Sequence, residues 1–173
     1  ILIILIIVLS LNSVFSLATF EKLYVRSLVS TYEVTGNDLK LKIEQSLRFG
    51  KPLEKFKGMG PLLEKQMKKT PDLSSISIAI PHGKIIHHSN SAQVGKKLPY
   101  ALPSFSKSDK PQSKLIDKTY MTFFPLYDRA KKLVGIINIS FSREVIYSKL
   151  KEMAEESLKT LLWLLLPTSA VII

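Results

Sequence analysis

The sequence predicts an α+β fold in which one long helix precedes a set of antiparallel strands. Three observations predict it. Apolar residues recur at helical spacing through the first quarter of the charged region. The period then changes to strict alternation. Finally, every charged residue lies between Glu21 and Lys159, so both ends are uncharged. The chain has 173 residues, one domain's worth of polypeptide. It carries 25 basic and 14 acidic side chains, a net charge of +11, and no cysteine, which excludes a disulfide framework. A mean hydropathy of +0.15 beside so many charges is the average of apolar ends and an ordinary soluble middle.

The first nine residues, ILIILIIVL, are continuously aliphatic, and residues 1–20 are long enough to cross a bilayer as a helix. The alternative is a secretory signal peptide, for which Ser16-Leu17-Ala18 has the small-x-small form of a cleavage site. Residues 160–173, TLLWLLLPTSAVII, are again uncharged, with Trp163 where an interfacial aromatic would sit. This run is expected to begin a second membrane helix; a buried core helix is the alternative. The missing initiator Met and the Ile-Ile end suggest an excised piece of a longer protein. The expected organisation is a first transmembrane helix at 1–20, a single folded domain at 21–159 and the start of a second transmembrane helix at 160–173. Charge alone leaves the orientation open, because loops this long cross membranes largely regardless of their lysines and arginines.

Within the middle segment, Leu28, Tyr32, Leu39, Ile43 and Leu47 mark one face of a long helix, with Gly36-Asn37 as a candidate break and Gly50 and Pro52 as its end. A short helix follows, with Pro61 in its first turn and Leu62, Leu63 and Met67 as its apolar face. Ile76, Ile78 and Ile80 alternate with Ser75, Ser77 and Ala79 as a half-buried strand, and Pro81-His82-Gly83 turns it into a hairpin. A Ser/Lys/Pro-rich loop is expected from Asn90 to Lys114. Strands then run from about Leu115 to Tyr127 and from Leu133 to Phe141, separated by the charged turn at 128–132. Ser142 is a candidate N-cap for a helix that meets no glycine or proline before Pro167 and enters the second apolar run.

Strand parity puts Asn138 and Ser140 on one face and Ile137, Ile139 and Phe141 on the other, so the polar face is either a ligand surface or simply wet. Tyr120 and Thr122 fall together, opposite Met121 and Phe123. His87 and His88 are neighbours on a strand and point apart, so they do not chelate one ion, and no metal site is expected. His88, nearer the loop, is the candidate for a ligand contact that varies with pH. The basic residues come as scattered pairs without interleaved aromatics, which argues against nucleic acid. Arg48, Lys96 and Lys97 are the candidate anion contacts. No Gly-rich phosphate cradle, Cys/His pair or nucleophile elbow is present, so no enzymatic activity and no cofactor are expected.

The stretch GKPLEKFKGMGPLLEKQMKKTPDLSSISIAIPHGKIIHHSNSAQVGKKL, followed by TYMTFFPLYDRAKKLVGIINISFS, resembles the single Cache sensory domains of bacterial transmembrane receptors. The likeness spans essentially the whole middle segment. It lies in the order of its marks: the PD-x-x-S-I-x-I strand entry, the glycine turn before His-Ser-Asn, Val94-Gly95-Lys96, FPLYD and VGIINIS. The resemblance implies a PAS-like antiparallel sheet with the long N-terminal helix packed on one face, flanked by transmembrane helices. It also implies a small ligand on the opposite face and a homodimer. The middle domain would lie in the periplasm or outside a bacterial inner membrane and signal to a cytoplasmic module.

The ligand-facing residues expected are His88, Tyr100, Tyr120, Thr122, Asn138 and Ser140. Where amino-acid-binding members carry an aspartate in the last strand, this chain has Ser140, so an α-amino group lacks its carboxylate partner. From another class, the rival reading is an exported, membrane-anchored basic domain that holds a surface polyanion or a partner and transmits nothing.

Overall fold

A computed structural model describes residues 2–70, 72–102 and 110–170, with backbone alone for residues 2, 3, 5, 6, 161, 162 and 164–170. The chain divides into two compact units, Val29–Arg143 and Ile1–Leu28 with Glu144–Ile173.

Helix α1 runs without interruption from Leu2 to Arg48, and its last twenty residues belong to the first of these units. Tyr32, Leu39, Ile43 and Leu47 are buried at the spacing that the sequence shows. The break considered at Gly36-Asn37 does not occur. Gly36 stays helical and brings the backbone against the sheet: a methyl group placed on it would lie inside the ring of Phe124. The helix gives way after Arg48 to Gly50, whose φ of 78° is the left-handed conformation that glycine adopts without strain.

A 3₁₀ turn at Leu53–Lys55 leads into α2, Met59–Lys69. Its buried residues are Met59 and Leu63, whereas Leu62 is 40% exposed. The apolar face of α2 is therefore set four residues apart, and Leu62, expected on it, is turned to solvent.

The sheet has five strands in the order β2-β1-β5-β4-β3, all antiparallel: β1 Ser75–Ala79, β2 Ile85–His88, β3 Gln112–Ile116, β4 Thr119–Tyr127 and β5 Leu133–Ser142. Strand β1 is covered on both faces, since Ser77 is as buried as Ile76 and Ile78, and the half-buried reading is corrected accordingly. The run expected as one strand near residue 115 begins earlier and is a hairpin. Its turn, Asp117-Lys118, takes positive φ at both residues, 45° and 65°, with no glycine to announce it. Opposite residues in register share a face. One face therefore carries Ile76, Ile78, Ile137, Ile139, Phe141, Tyr120, Thr122 and Phe124, and receives α1 through Gly36, Tyr32 and Glu44. Glu44 Oε1 accepts a hydrogen bond from the Tyr127 amide at 3.0 Å and lies 3.9 Å from the buried Lys40 ammonium.

The last strand passes directly into α3, Arg143–Ala170. In the second unit the Ser13 and Ser157 hydroxyls lie 3.1 Å apart, so α1 and α3 meet there. Among the described residues no helix is long and apolar enough to cross a membrane. Residue 1 and residues 171–173 of the two expected spans lie outside the described residues, and of the side chains in 160–170 only those of Thr160 and Trp163 are described.

Candidate functional site

The sheet face turned away from α1 carries Ser75 and Ser77 from β1, Asn138 and Ser140 from β5, and Met121 and Phe123 from β4. His88, in register with Ser77, joins them from β2. Period-two alternation requires this grouping once the aliphatic side of β5 is packed on the helix. Four of these polar residues are buried: Ser77, Asn138 and Ser140 almost completely and Ser75 in part.

The segment after β2 folds back over this face. Gly95, with φ 87°, donates its N–H to the Ile85 carbonyl, and Ile85 donates to Lys96, which fixes the segment along β2. Leu98 closes a small cluster with Ala79 and Ile85, against which Tyr100 and Leu102 pack. Tyr100 then reaches the centre of the face. Its ring meets Phe123 edge-on, 6.0 Å between centroids, and its hydroxyl accepts a 2.6 Å hydrogen bond from Asn138 Nδ2. Beside them the Ser75 and Ser140 hydroxyls are 2.6 Å apart.

Asn138 Oδ1 is buried without a hydrogen-bond partner among the described residues. An unmet buried acceptor costs about 1–3 kcal/mol, so a group that donates to it is strongly favoured there. Burial pushes the Tyr100 phenol up to about 12, so it is neutral at physiological pH and offers its own proton. His88 Nδ1 accepts from the Asn90 amide at 2.8 Å, which leaves the proton of the neutral ring on Nε2. Burial also holds the His88 imidazole below its ordinary value of 6.5. The unfolded chain therefore takes up a proton below that pH more readily than the folded one, and stability falls as the medium is acidified. The melting temperature is expected to drop between pH 7 and pH 5 and to drop less in His88→Gln; an identical slope in the two proteins would remove His88 as the source.

Of the residues expected from sequence, the structure brings Tyr100, Asn138 and Ser140 together and puts His88 on the same face. Tyr120 and Thr122 lie on the other face. Tyr120 stacks on Phe141, 4.9 Å between centroids and 9° from parallel, and Thr122 Oγ1 is 3.0 Å from the Ser113 hydroxyl. They cannot meet a ligand held by Asn138, because residues adjacent on a strand point apart. Arg48 ends α1, and Lys96 and Lys97 border β2; all three are exposed. His87 turns to the helix-covered face, where its Nε2 is 3.0 Å from the Leu53 carbonyl. Sequence reasoning missed Ser75 and Ser77, whose signal was the matched small-polar alternation of SISI and NIS in two strands that pair.

No family model matches the chain, and no curated protein matches it. Solved structures do. The extracellular domain of rpHK1S-Z16, named as a histidine kinase, aligns with a TM-score of 0.53 at 15% identity, over 71% of this chain and 55% of the other. The periplasmic domain of RsbU from Chlamydia trachomatis aligns at 0.51, also at 15% identity, over 80% of this chain and 55% of the other. The fold is the PAS-like fold of these domains. The sensor domain of E. coli DcuS also aligns, at a TM-score of 0.43 and 15% identity, over 66% of this chain and 93% of that one. The antiparallel sheet with the long helix on one face is the arrangement that the resemblance of the sequence implies. This chain spans about half the length of the first two of these structures.

Proposed function

We propose that the PAS-like domain is the extracytoplasmic ligand-sensing part of a bacterial membrane receptor, with residues 1–20 and 160–173 as its membrane anchors. The buried and unmet Asn138 Oδ1, beside the Tyr100 hydroxyl on the sheet face turned away from α1, carries this reading. The groups around it are neutral: three serine hydroxyls, an amide, a phenol and an imidazole. They suit an uncharged polar ligand that donates an N–H or O–H to Asn138. β1 and β5 put no carboxylate on this face, which argues against an α-ammonium group. A ligand changes the receptor only as far as it binds two arrangements differently. The route for that difference is β5, which contributes Asn138 and Ser140 and passes into α3 with no intervening residue.

The test is a thermal-shift screen of the purified chain against small polyols, amides, carboxylates, amines and nucleobases. A ligand at a hundred times its dissociation constant adds about 2.7 kcal/mol, a shift of several degrees. Asn138→Leu and Tyr100→Phe are expected to abolish or reduce that shift while Thr122→Val preserves it. A stabilising compound whose effect survives Asn138→Leu would place the ligand elsewhere. If only polyanions bind, and salt weakens them, the basic interaction domain is the better description.

A further inference from the structure

At the end of the sheet where α1 stops, a separate cleft of about 610 Å³ opens between the segment after α1, the β1–β2 turn and the β4–β5 turn. It shares no residue with the polar face around Asn138. Its floor is apolar, with the buried Leu47 and Leu53 and the half-buried Leu133 and Val134. Its rim is cationic. Lys51, Arg129 and Lys132 line it with the imidazole of His82, against Glu54 and Asp128.

Local structure fixes the backbone that carries these cations. Asp128 Oδ1 accepts the amides of Ala130 and Lys132, both at 2.9 Å, which closes the turn that carries Arg129 and Lys132. The turn is completed by Lys131 at φ 59°, whose amide donates to the Asp128 carbonyl at 3.0 Å. Asp128 keeps its negative charge while it closes this turn, so the rim sets three cations, Lys51, Arg129 and Lys132, against two carboxylates, Asp128 and Glu54. The Lys51 ammonium sits 5.6 Å from the centre of the Phe56 ring, a cation–π contact that keeps it near the cleft mouth. On the third side, Gly83 at φ 84° donates its amide to the Ile80 carbonyl at 2.8 Å and so fixes the turn bearing His82.

An apolar floor under a net cationic rim carried on ordered turns, in a volume typical of small-molecule sites, selects one chemistry. We infer that this cleft binds an organic anion with an apolar body, such as an aryl or alkyl carboxylate. The body covers Leu53 and Leu133, and the carboxylate meets Arg129 and Lys132 at the rim. Arg129 offers the two-pronged geometry a carboxylate takes, and Lys132 and Lys51 add point charges.

The experiment follows backbone amide shifts of the full chain in detergent during titration with phenylacetate, and with phenylacetamide as the uncharged analogue of the same shape. Phenylacetate is expected to give saturable shifts at Lys51, His82, Ala130 and Val134. Its dissociation constant should rise about tenfold or more in the double variant Arg129→Gln with Lys132→Gln, the loss expected for a charge-assisted contact. Phenylacetamide should bind weaker by a similar factor. Unshifted Tyr100 and Ile139 amides in the double variant report an intact fold. The inference fails if the amide binds as well as the acid, if the double variant binds unchanged, if the shifts centre on Asn138 and Ser140, or if no saturation is reached by about 20 mM.

Discussion

Replacing Gly36 with alanine is expected to destabilise the domain by about 2 kcal/mol, although the same change in an ordinary helix interior stabilises by about 1 kcal/mol. The sign reverses because three atoms of the Phe124 ring occupy the place of the new methyl group. Neither partner has room to retreat. Phe124 is fully buried in β4, paired with Ile137 of the central strand, and α1 is tied to the same strand by the Glu44 carboxylate on the Tyr127 amide. The loss should appear as a melting temperature lower by roughly 5 °C, at about 2–4 °C per kcal/mol for a domain of this size.

Gly60 supplies the control. It sits in α2 with nothing within 4 Å of a built Cβ, so Gly60→Ala should stabilise slightly. Trimming the obstacle supplies the proof: in Gly36→Ala with Phe124→Leu, the two losses should sum to less than their separate costs by about 1 kcal/mol. A Gly36→Ala protein that melts at or above the parent would mean that the helix does not approach β4 this closely.

That glycine also shows where the sequence stops being legible. The spacing of Tyr32, Leu39, Ile43 and Leu47 is local information, and it named the buried face of α1 correctly. A glycine in the same stretch has two local meanings, a break or a close contact. Only the identity of the residue across the interface, 88 positions later, decides between them. The Asp117-Lys118 turn was hidden for a different reason. Positive φ at residues other than glycine is a cost that the two flanking strands impose, and nothing in the two side chains advertises it.

The candidate site divides along the same line. Alternation sorted β5 into a polar and an aliphatic side, so Asn138 and Ser140 were readable, and with the helix assigned to the aliphatic side their face followed. For β4 alternation gave the grouping of Tyr120 with Thr122 but not its direction, because both of its sides mix aromatic with small or polar residues. Register with β5 settles that direction. The distal cleft left no trace at all in the sequence. Its basic residues, Lys51, His82 and the Arg129 and Lys132 pair, come from three separate stretches and meet only because three chain reversals share one end of the sheet.

The largest single loss is expected from Phe141→Ala, about 3–5 kcal/mol. Phe141 is fully buried, with the Tyr32 ring of α1 4.8 Å away on one side and the Tyr120 ring of β4 4.9 Å away on the other. Removing it empties the space between two aromatic partners in addition to the transfer cost of the ring. Phe141→Leu keeps much of the volume and should cost about half as much or less. The position also bears on the proposed route from ligand to helix. Ser140 faces the candidate site and Phe141 faces α1, so the end of β5 is pinned from both sides one residue before its last. The Ser142 amide that follows donates to the Ser74 hydroxyl and the Arg143 amide to the Lys118 carbonyl, both at 2.9 Å. If the aromatic stack is what fixes this end of the strand, hydrogen exchange at Ser142 and Arg143 should accelerate in Phe141→Leu far more than at Ile78, in the middle of the sheet. Equal acceleration at all three amides would mean that the ring contributes only to global stability. The strand would then have no separately adjustable end through which a ligand on the opposite face could move α3.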